Sequence, residues 1–313
     1  MLLDLLALAA GLVLLYFGAE WLVRGAASLA LRFGLTPLVV GLTVVAFGTS
    51  APELVVSVGS ALEGRGGLAI GNVVGSNIVN VALILGLSVL IRPALVKTQL
   101  LRLDVPLMIA ASALLFVLLL DGVLNRVEGA FLFAGLIAYT GFNIWQSRRE
   151  QAAVQTDLAE VLPTPSGSVG RDVGWVAVGL VVLVVGAQFL VSGAVSIAEA
   201  AGLSEAFIGL TIVAIGTSLP ELATSVVAAL RGEGDIAVGN VVGSNVFNLL
   251  GILGLSSMLA PLERGGIAVF DLGAMLFLAL LLVPLMRSGF QLARWEGGLL
   301  MACYAVYVGL LLI

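Results

Sequence analysis

Histidine is absent from this chain, cysteine and lysine occur once each, and only 11% of the residues are charged. Without histidine there is no HExxH zinc site and no imidazole proton relay. With Cys303 alone there is no intramolecular disulfide. A serine and a glutamate are available for hydrolytic chemistry, but the single lysine, Lys97, falls in a predicted loop. No nucleophile, base and orienting group can be assembled, so an enzyme is not expected and no cofactor is implied. What abounds is apolar. The chain has 313 residues, 60% of them hydrophobic, and a mean hydropathy of +1.18. No soluble core could hide them, and many apolar runs of about 20 residues have membrane-spanning length. The expected class is an all-α polytopic protein with the lipid bilayer as its solvent. A net charge of −5 says little about partners, because most charges lie in short loops. No nucleic acid and no obligatory protein partner are inferred.

One unit occurs twice. Residues 41 to 90 and 209 to 258 align at a constant offset of 168 without a gap and agree at 31 of 50 positions. Agreement concentrates in GTS-x-PE and GNVVGSN-x-x-N, which place a carboxylate, a proline, hydroxyls and amides inside apolar segments. Such groups are costly in hydrocarbon and mark a functional site by default.

Ten spans are predicted, at roughly 2 to 22, 35 to 62, 68 to 91, 103 to 120, 127 to 146, 173 to 192, 206 to 230, 236 to 260, 266 to 286 and 295 to 313. The first could pass for a signal peptide, but Asp4 stands where a basic region belongs, so it is read as a helix. The spans fall into a first five-helix repeat (1–146), a polar linker (147–172) and a second repeat (173–313). An odd number of spans per copy brings the second copy in from the opposite side, so the repeats are expected to be inverted, with a substrate site between them at the midplane. If the N-terminus is outside, eleven basic residues are cytoplasmic, and only Arg65, Arg126 and Arg264 are external. This positive-inside bias predicts that both termini are extracytoplasmic.

The first helix of each copy carries glycine every seventh residue, at Gly11, Gly18 and Gly25 and at Gly179, Gly186 and Gly193. That spacing keeps them near one face, drifting about 20° per repeat. The face suits either ordinary close packing or a sliding surface.

In the second helix of each copy, Pro52 and Pro220 remove a backbone donor and disturb the helix near Gly48 and Gly216. Irregular backbone at membrane depth is tolerated where it is buried in protein or lines a cavity. Thr49, Ser50 and Glu53 share a face by their spacing, as do Thr217, Ser218 and Glu221. The third helix adds Asn72, Ser76, Asn77 and Asn80, repeated as Asn240, Ser244, Asn245 and Asn248, with glycines at 71, 75, 239 and 243 that would admit another backbone. Singly, such hydroxyls and amides serve as helix glue. Two glutamates in identical contexts, surrounded by oxygen and with no sulfur or imidazole nearby, make a hard-oxygen site. It suits Ca²⁺, with six to eight oxygens at roughly 2.3–2.6 Å, better than zinc or copper. Several Na⁺ ions could occupy the same oxygens instead. Glu128 and Glu296 stand in repeated RxEG sequences at predicted helix starts, where they complement the helix dipole. Asp104 and Asp271 lie near the starts of two others, and Glu20 is matched by Gln188.

These motifs make the chain resemble the cation/Ca²⁺ exchanger superfamily, most of all its small prokaryotic Na⁺/Ca²⁺ exchanger type. The resemblance implies a midplane site with Glu53 and Glu221 as central Ca²⁺ ligands. Around them it implies Thr49, Ser50, Thr217, Ser218, Ser76 and Ser244, the carbonyls of Ala46 and Ala214, and Asn80 and Asn248 at the motif ends. It further implies three Na⁺ per Ca²⁺, first helices that slide across the core and so give their glycine faces a purpose, and a location in the cytoplasmic membrane. Some relatives, the K⁺-dependent ones among them, have aspartate at the position of Asn248, so no K⁺ requirement is expected. Na⁺-driven Ca²⁺ antiport is the leading expectation. Its alternatives are exchange of Ca²⁺ or another divalent ion for H⁺ and, less favoured, a passive cation channel.

Overall fold

Long runs of Leu, Val and Ala leave the backbone no partner but itself in lipid, and the chain is helical almost throughout. In the computed structural model, which describes residues 2–158, 168–200 and 214–311, the first half contains α1 (Leu2–Phe33), α2 (Pro37–Thr49), α3 (Ala51–Leu62), α4 (Gly66–Ile91), α5 (Leu100–Leu118) and α6 (Arg126–Leu158). The second half contains α7 (Val169–Ala200), α8 (Ala214–Thr217), α9 (Leu219–Arg231), α10 (Gly234–Leu259), α11 (Val269–Arg287) and α12 (Arg294–Leu311). Among the described residues, seven helices are long and apolar enough to cross a membrane, and the bent pair α2 and α3, taken as one span, makes an eighth. The expected span at 206 to 230 begins outside the described residues and continues as α8 and α9. Helix also enters the polar stretch 147–172 from both sides, because α6 runs on to Leu158 and α7 begins at Val169.

The bend between α2 and α3 is 49°. It falls at Ser50, whose ψ of 11° leaves the helical range, two residues before Pro52. Nothing in the spacing of the sequence announces a second irregularity. Wide π-type turns occupy Gly41–Val45, Val79–Leu85, Leu100–Asp104 and Phe247–Ile252. Such turns often mark functional positions, and two of these contain Asn80 and Asn248.

Four two-residue strands tie the halves together. β1 (Ala94–Leu95) pairs antiparallel with β4 (Gln291–Leu292), and β2 (Val123–Leu124) with β3 (Leu262–Glu263). Glycine contacts do the same inside the bundle. Gly86 of α4 meets Gly297 of α12, and Gly254 of α10 meets Gly129 of α6. These are the same two places at the 168 offset. The centre of the bundle is α10, with 94% of its apolar window buried, whereas α1, with 22%, lies at the periphery.

The glycine faces of α1 and α7 do not lie on the core. They face each other. A Cβ at Gly18 would stand 2.8 Å from the Leu183 nitrogen, one at Gly179 2.8 Å from the Gly18 carbonyl, and one at Gly186 3.1 Å from that of Gly11. The two helices thus run antiparallel with their backbones in contact, the close packing that is one of the two uses expected of these glycines. Only the absence of side chains lets them come so close. The end of this pair is pinned by Asp172, which accepts from Ser28 Oγ (2.8 Å) and Arg32 Nε (2.5 Å). That anchorage explains why α1 persists as helix beyond residue 22, past the charged positions that end the apolar run. Of the motif glycines, Gly239 and Gly243 lie against the α2 backbone: a Cβ at the first would stand 2.7 Å from Leu38 O, and one at the second 2.5 Å from Leu42 O. In the other copy, a Cβ at Gly71 would meet the Ile267 side chain, and one at Gly75 would meet no atom of the described residues outside its own helix within 4 Å.

Candidate functional site

The break at Ser50 and its counterpart at Ser218 start two new helices, α3 and α9, and put a glutamate in the first turn of each. Glu53 and Glu221 are both 0% exposed. A bare carboxylate at such depth would be untenable without donors. The donors come from the opposite copy. Ser218 Oγ donates to Glu53 Oε1 (3.0 Å), and Ser50 Oγ donates to Glu221 Oε1 (2.7 Å). Ser76 Oγ lies 3.4 Å from Glu53 Oε1 and 3.2 Å from Ser218 Oγ.

The helix breaks are braced from below by asparagine. Asn72 Nδ2 donates to the Glu53 carbonyl (3.2 Å) and to Ser57 Oγ (3.0 Å). Asn240 Nδ2 does the same for the Glu221 carbonyl (3.4 Å) and Ser225 Oγ (3.0 Å). Thr49 Oγ1 reaches Asn240 Oδ1 at 3.1 Å and Ala46 O at 3.3 Å. Asn77 and Asn245 occupy the crossing of α4 and α10, and each donates to the other's backbone carbonyl, at 3.3 and 3.5 Å.

Of the expected ligands, the structure therefore brings Glu53, Glu221, Ser50, Ser218 and Ser76 into one hydrogen-bonded group, with Thr49 joined to it through Asn240. Asn80 and Asn248 donate to the crossing asparagines Asn245 and Asn77, and Ser244 is fully buried on α10. Thr217 ends α8 half-buried, and Ala214 is the first residue of that helix. The Ala46 carbonyl also accepts from Ser50 N (3.0 Å), so it closes the last turn of α2 as well as meeting Thr49.

Among the described residues, five oxygens of the two motifs find no hydrogen-bond partner although fully buried: Glu53 Oε2, Glu221 Oε2, Asn80 Oδ1, Asn248 Oδ1 and Ser244 Oγ. A buried polar atom left unpaired costs about 1–3 kcal/mol. Two of the five belong to carboxylates and four can only accept, so what satisfies them must carry positive charge or donate protons. Among the described residues no group of three or more His, Cys, Asp and Glu gathers anywhere. The donor set is thus hard oxygen from two acids, hydroxyls and amides, which fits an alkali or alkaline-earth cation.

Sequence reasoning left out of the ligand set several residues that shape it: Asn72, Asn240, Ser57, Ser225, Asn77, Asn245, Met108 and Met275. Six of them recur at the 168 offset and were detectable by repetition, while the methionines recur at 167, outside the aligned block. Away from the site, the remaining acids take structural roles. Glu128 Oε2 and Glu296 Oε2 accept from the backbone of Asn125 and Ala293 at the starts of α6 and α12. Asp104 and Asp271 each accept from a tyrosine, Tyr139 and Tyr307, at 2.9 Å.

Comparison with known proteins places the chain in a family. The sodium/calcium exchanger protein family matches residues 3–145 and 172–313. The chain is 41% identical over 253 residues to the putative antiporter CaxA of Alkalimonas amylolytica, covering 80% of this chain and 79% of that protein. It is 32% identical to the sodium/calcium exchanger MaX1 of Methanosarcina acetivorans, covering 97% of each. The structure of the sodium-calcium exchanger NCX_Mj soaked with Na⁺ and Sr²⁺ superposes with a TM-score of 0.85 at 32% identity, over 98% of both chains. A polytopic helical membrane protein with two buried acids in an all-oxygen setting, matched along nearly its whole length, this chain belongs to the sodium/calcium exchanger protein family.

Proposed function

We propose that the protein is a Na⁺/Ca²⁺ antiporter of the cytoplasmic membrane that works by alternating access. In this reading ten spans form two inverted five-helix repeats with the ion site between them and both termini outside. The observation that carries it is the exchange of hydroxyls between copies. Each buried glutamate is held on one oxygen by the serine of the other copy, while its second oxygen has no protein partner. A site built jointly by two copies is where inverted-repeat transporters place their substrate. Two carboxylates neutralise one Ca²⁺, and the same oxygens serve Na⁺ in its place. Mutual exclusion then couples the two ions, because the site cannot hold the full set of both. If three Na⁺ move per Ca²⁺, each cycle carries one net charge and feels about 2.3 kcal/mol per 100 mV.

The test is ⁴⁵Ca²⁺ uptake into Na⁺-loaded proteoliposomes diluted into Na⁺-free buffer at clamped pH and voltage, with choline-loaded vesicles as control. Uptake that requires internal Na⁺ is expected. Coupling to H⁺ is the competing reading, favoured by the two buried carboxylates, each of which can carry a proton in place of a cation. Uptake driven by a pH gradient and indifferent to Na⁺ would replace the first reading with the second. Current without a counter-ion would indicate a channel.

A further inference from the structure

The polarity of an asparagine amide is a question of which end meets a donor and which an acceptor. At the crossing of α4 and α10 the backbone answers it. A carbonyl can only accept, so the atom of Asn77 facing the Asn245 carbonyl at 3.3 Å is its nitrogen, and so is the atom of Asn245 facing the Asn77 carbonyl at 3.5 Å. Long as these bonds are, their direction is unambiguous. A second acceptor stands by each nitrogen. Asn77 Nδ2 is 3.8 Å from Met275 Sδ, and Asn245 Nδ2 is 3.5 Å from Met108 Sδ. Both hydrogens of each amide are thereby engaged, and each Oδ1 points the other way.

Those oxygens in turn dictate the next pair. Asn77 Oδ1 accepts from Asn248 Nδ2 at 3.0 Å, and Asn245 Oδ1 accepts from Asn80 Nδ2 at 3.1 Å. Asn248 and Asn80 must then turn their oxygens away from the crossing. These are two of the buried oxygens that have no partner. All four asparagines are at most 2% exposed, so water at a surface does not set their orientation.

We propose that Asn77 and Asn245 are positioning residues that hold Asn248 and Asn80 with amide oxygens, rather than amide nitrogens, toward the transported cation. The proposal rests on the cation-site reading above. Rotated by half a turn, either outer amide would present N–H to a cation and repel it. The relay makes that rotation costly, because it would set oxygen against oxygen at the inner amide. Methionine, backbone carbonyl, inner asparagine and outer asparagine form one chain of donors and acceptors with a single consistent direction, and it occurs twice.

The test measures Ca²⁺-induced thermal stabilisation of the purified full-length protein, a binding readout that does not depend on Na⁺ coupling. Asn77→Leu keeps the branching at Cγ and removes the relay. It should raise the Ca²⁺ concentration for half-maximal stabilisation ~10-fold, the usual effect of losing a residue that orients a metal ligand. The maximal stabilisation should be retained. Asn245→Leu removes the relay of the other copy in the same way and should shift the half-maximal concentration in the same direction. Parental affinity in either variant overturns the relay. Should neither fold, Met275→Leu decides: it takes away the sulfur beside Asn77 Nδ2 without touching either outer amide, and it should weaken Ca²⁺ binding, whereas parental affinity overturns the relay. A parent that Ca²⁺ does not stabilise sinks the cation site and the relay together. One that binds Ca²⁺ but takes up none on a Na⁺ gradient sinks only the coupling assignment.

Discussion

Ser76 and Ser244 are the same residue in two copies of one motif, yet they do different things. Ser76 Oγ joins Glu53 and Ser218, while Ser244 Oγ, equally buried, has no partner. Their sequence surroundings are almost identical, GNVVGSN in both. The inequality therefore lies in how the two copies are packed rather than in what they are made of. A twofold-symmetric arrangement would satisfy both hydroxyls or neither. The conformation described here treats the two halves unequally.

The comparison can be broken most severely at the acids. Glu53→Gln and Glu221→Gln should each reduce Na⁺-dependent ⁴⁵Ca²⁺ uptake to background, because either change halves the charge available to a divalent ion. A variant of one that keeps normal exchange would show that only one copy carries the site. Next come the serines that cross between copies. A hydrogen bond to a charged group is worth about 1.5–3 kcal/mol, so Ser50→Ala and Ser218→Ala should each raise the Ca²⁺ KM at least about tenfold. Similar values for the two would confirm reciprocity, and widely different ones would make one copy dominant.

Ser76→Ala against Ser244→Ala sharpens the inequality itself. The first removes a hydrogen bond and should cost about 1 kcal/mol of stability without ions. The second removes a hydroxyl that has no partner and should leave the Tm unchanged or higher. Equal losses of Tm would mean the two serines are equivalent in solution. The smallest effect is expected at Glu20, which pairs bidentately with Arg231 between α1 and α9. Its counterparts at the 168 offset, Gln188 and Glu63, cannot form such a pair. The pair is partly exposed, so Glu20→Gln should cost no more than about 1 kcal/mol, and less as salt is added. A large change in exchange rate in that variant would assign the pair a role in biasing the cycle.

Much of this site is legible in the sequence because its chemistry violates its surroundings. A glutamate in an apolar span is visible at once, and Glu53 and Glu221 stand out for that reason. The glycine register of α1 and α7 is equally visible, but its partner is not. Periodicity reports which face is small and carries no record of what that face meets. Hydropathy likewise marks where lipid can be, so it ends α1 at its first charges, whereas the helix continues to Phe33 on bonds that Ser28 and Arg32 make 140 or more residues away. The π-type turns at Val79–Leu85 and Phe247–Ile252 have no signature in residue type. They arise where α4 and α10 cross and the asparagines must reach each other.

That crossing has a consequence for ancestry. Asn77 needs the carbonyl of Asn245 and Asn245 that of Asn77, and each glutamate needs the other copy's serine. A single copy standing alone would bury acids and amides with nothing to pair them. Two copies facing one another supply partners that neither has alone. A forerunner with a single copy of the unit would therefore need a second copy facing it to make the same bonds.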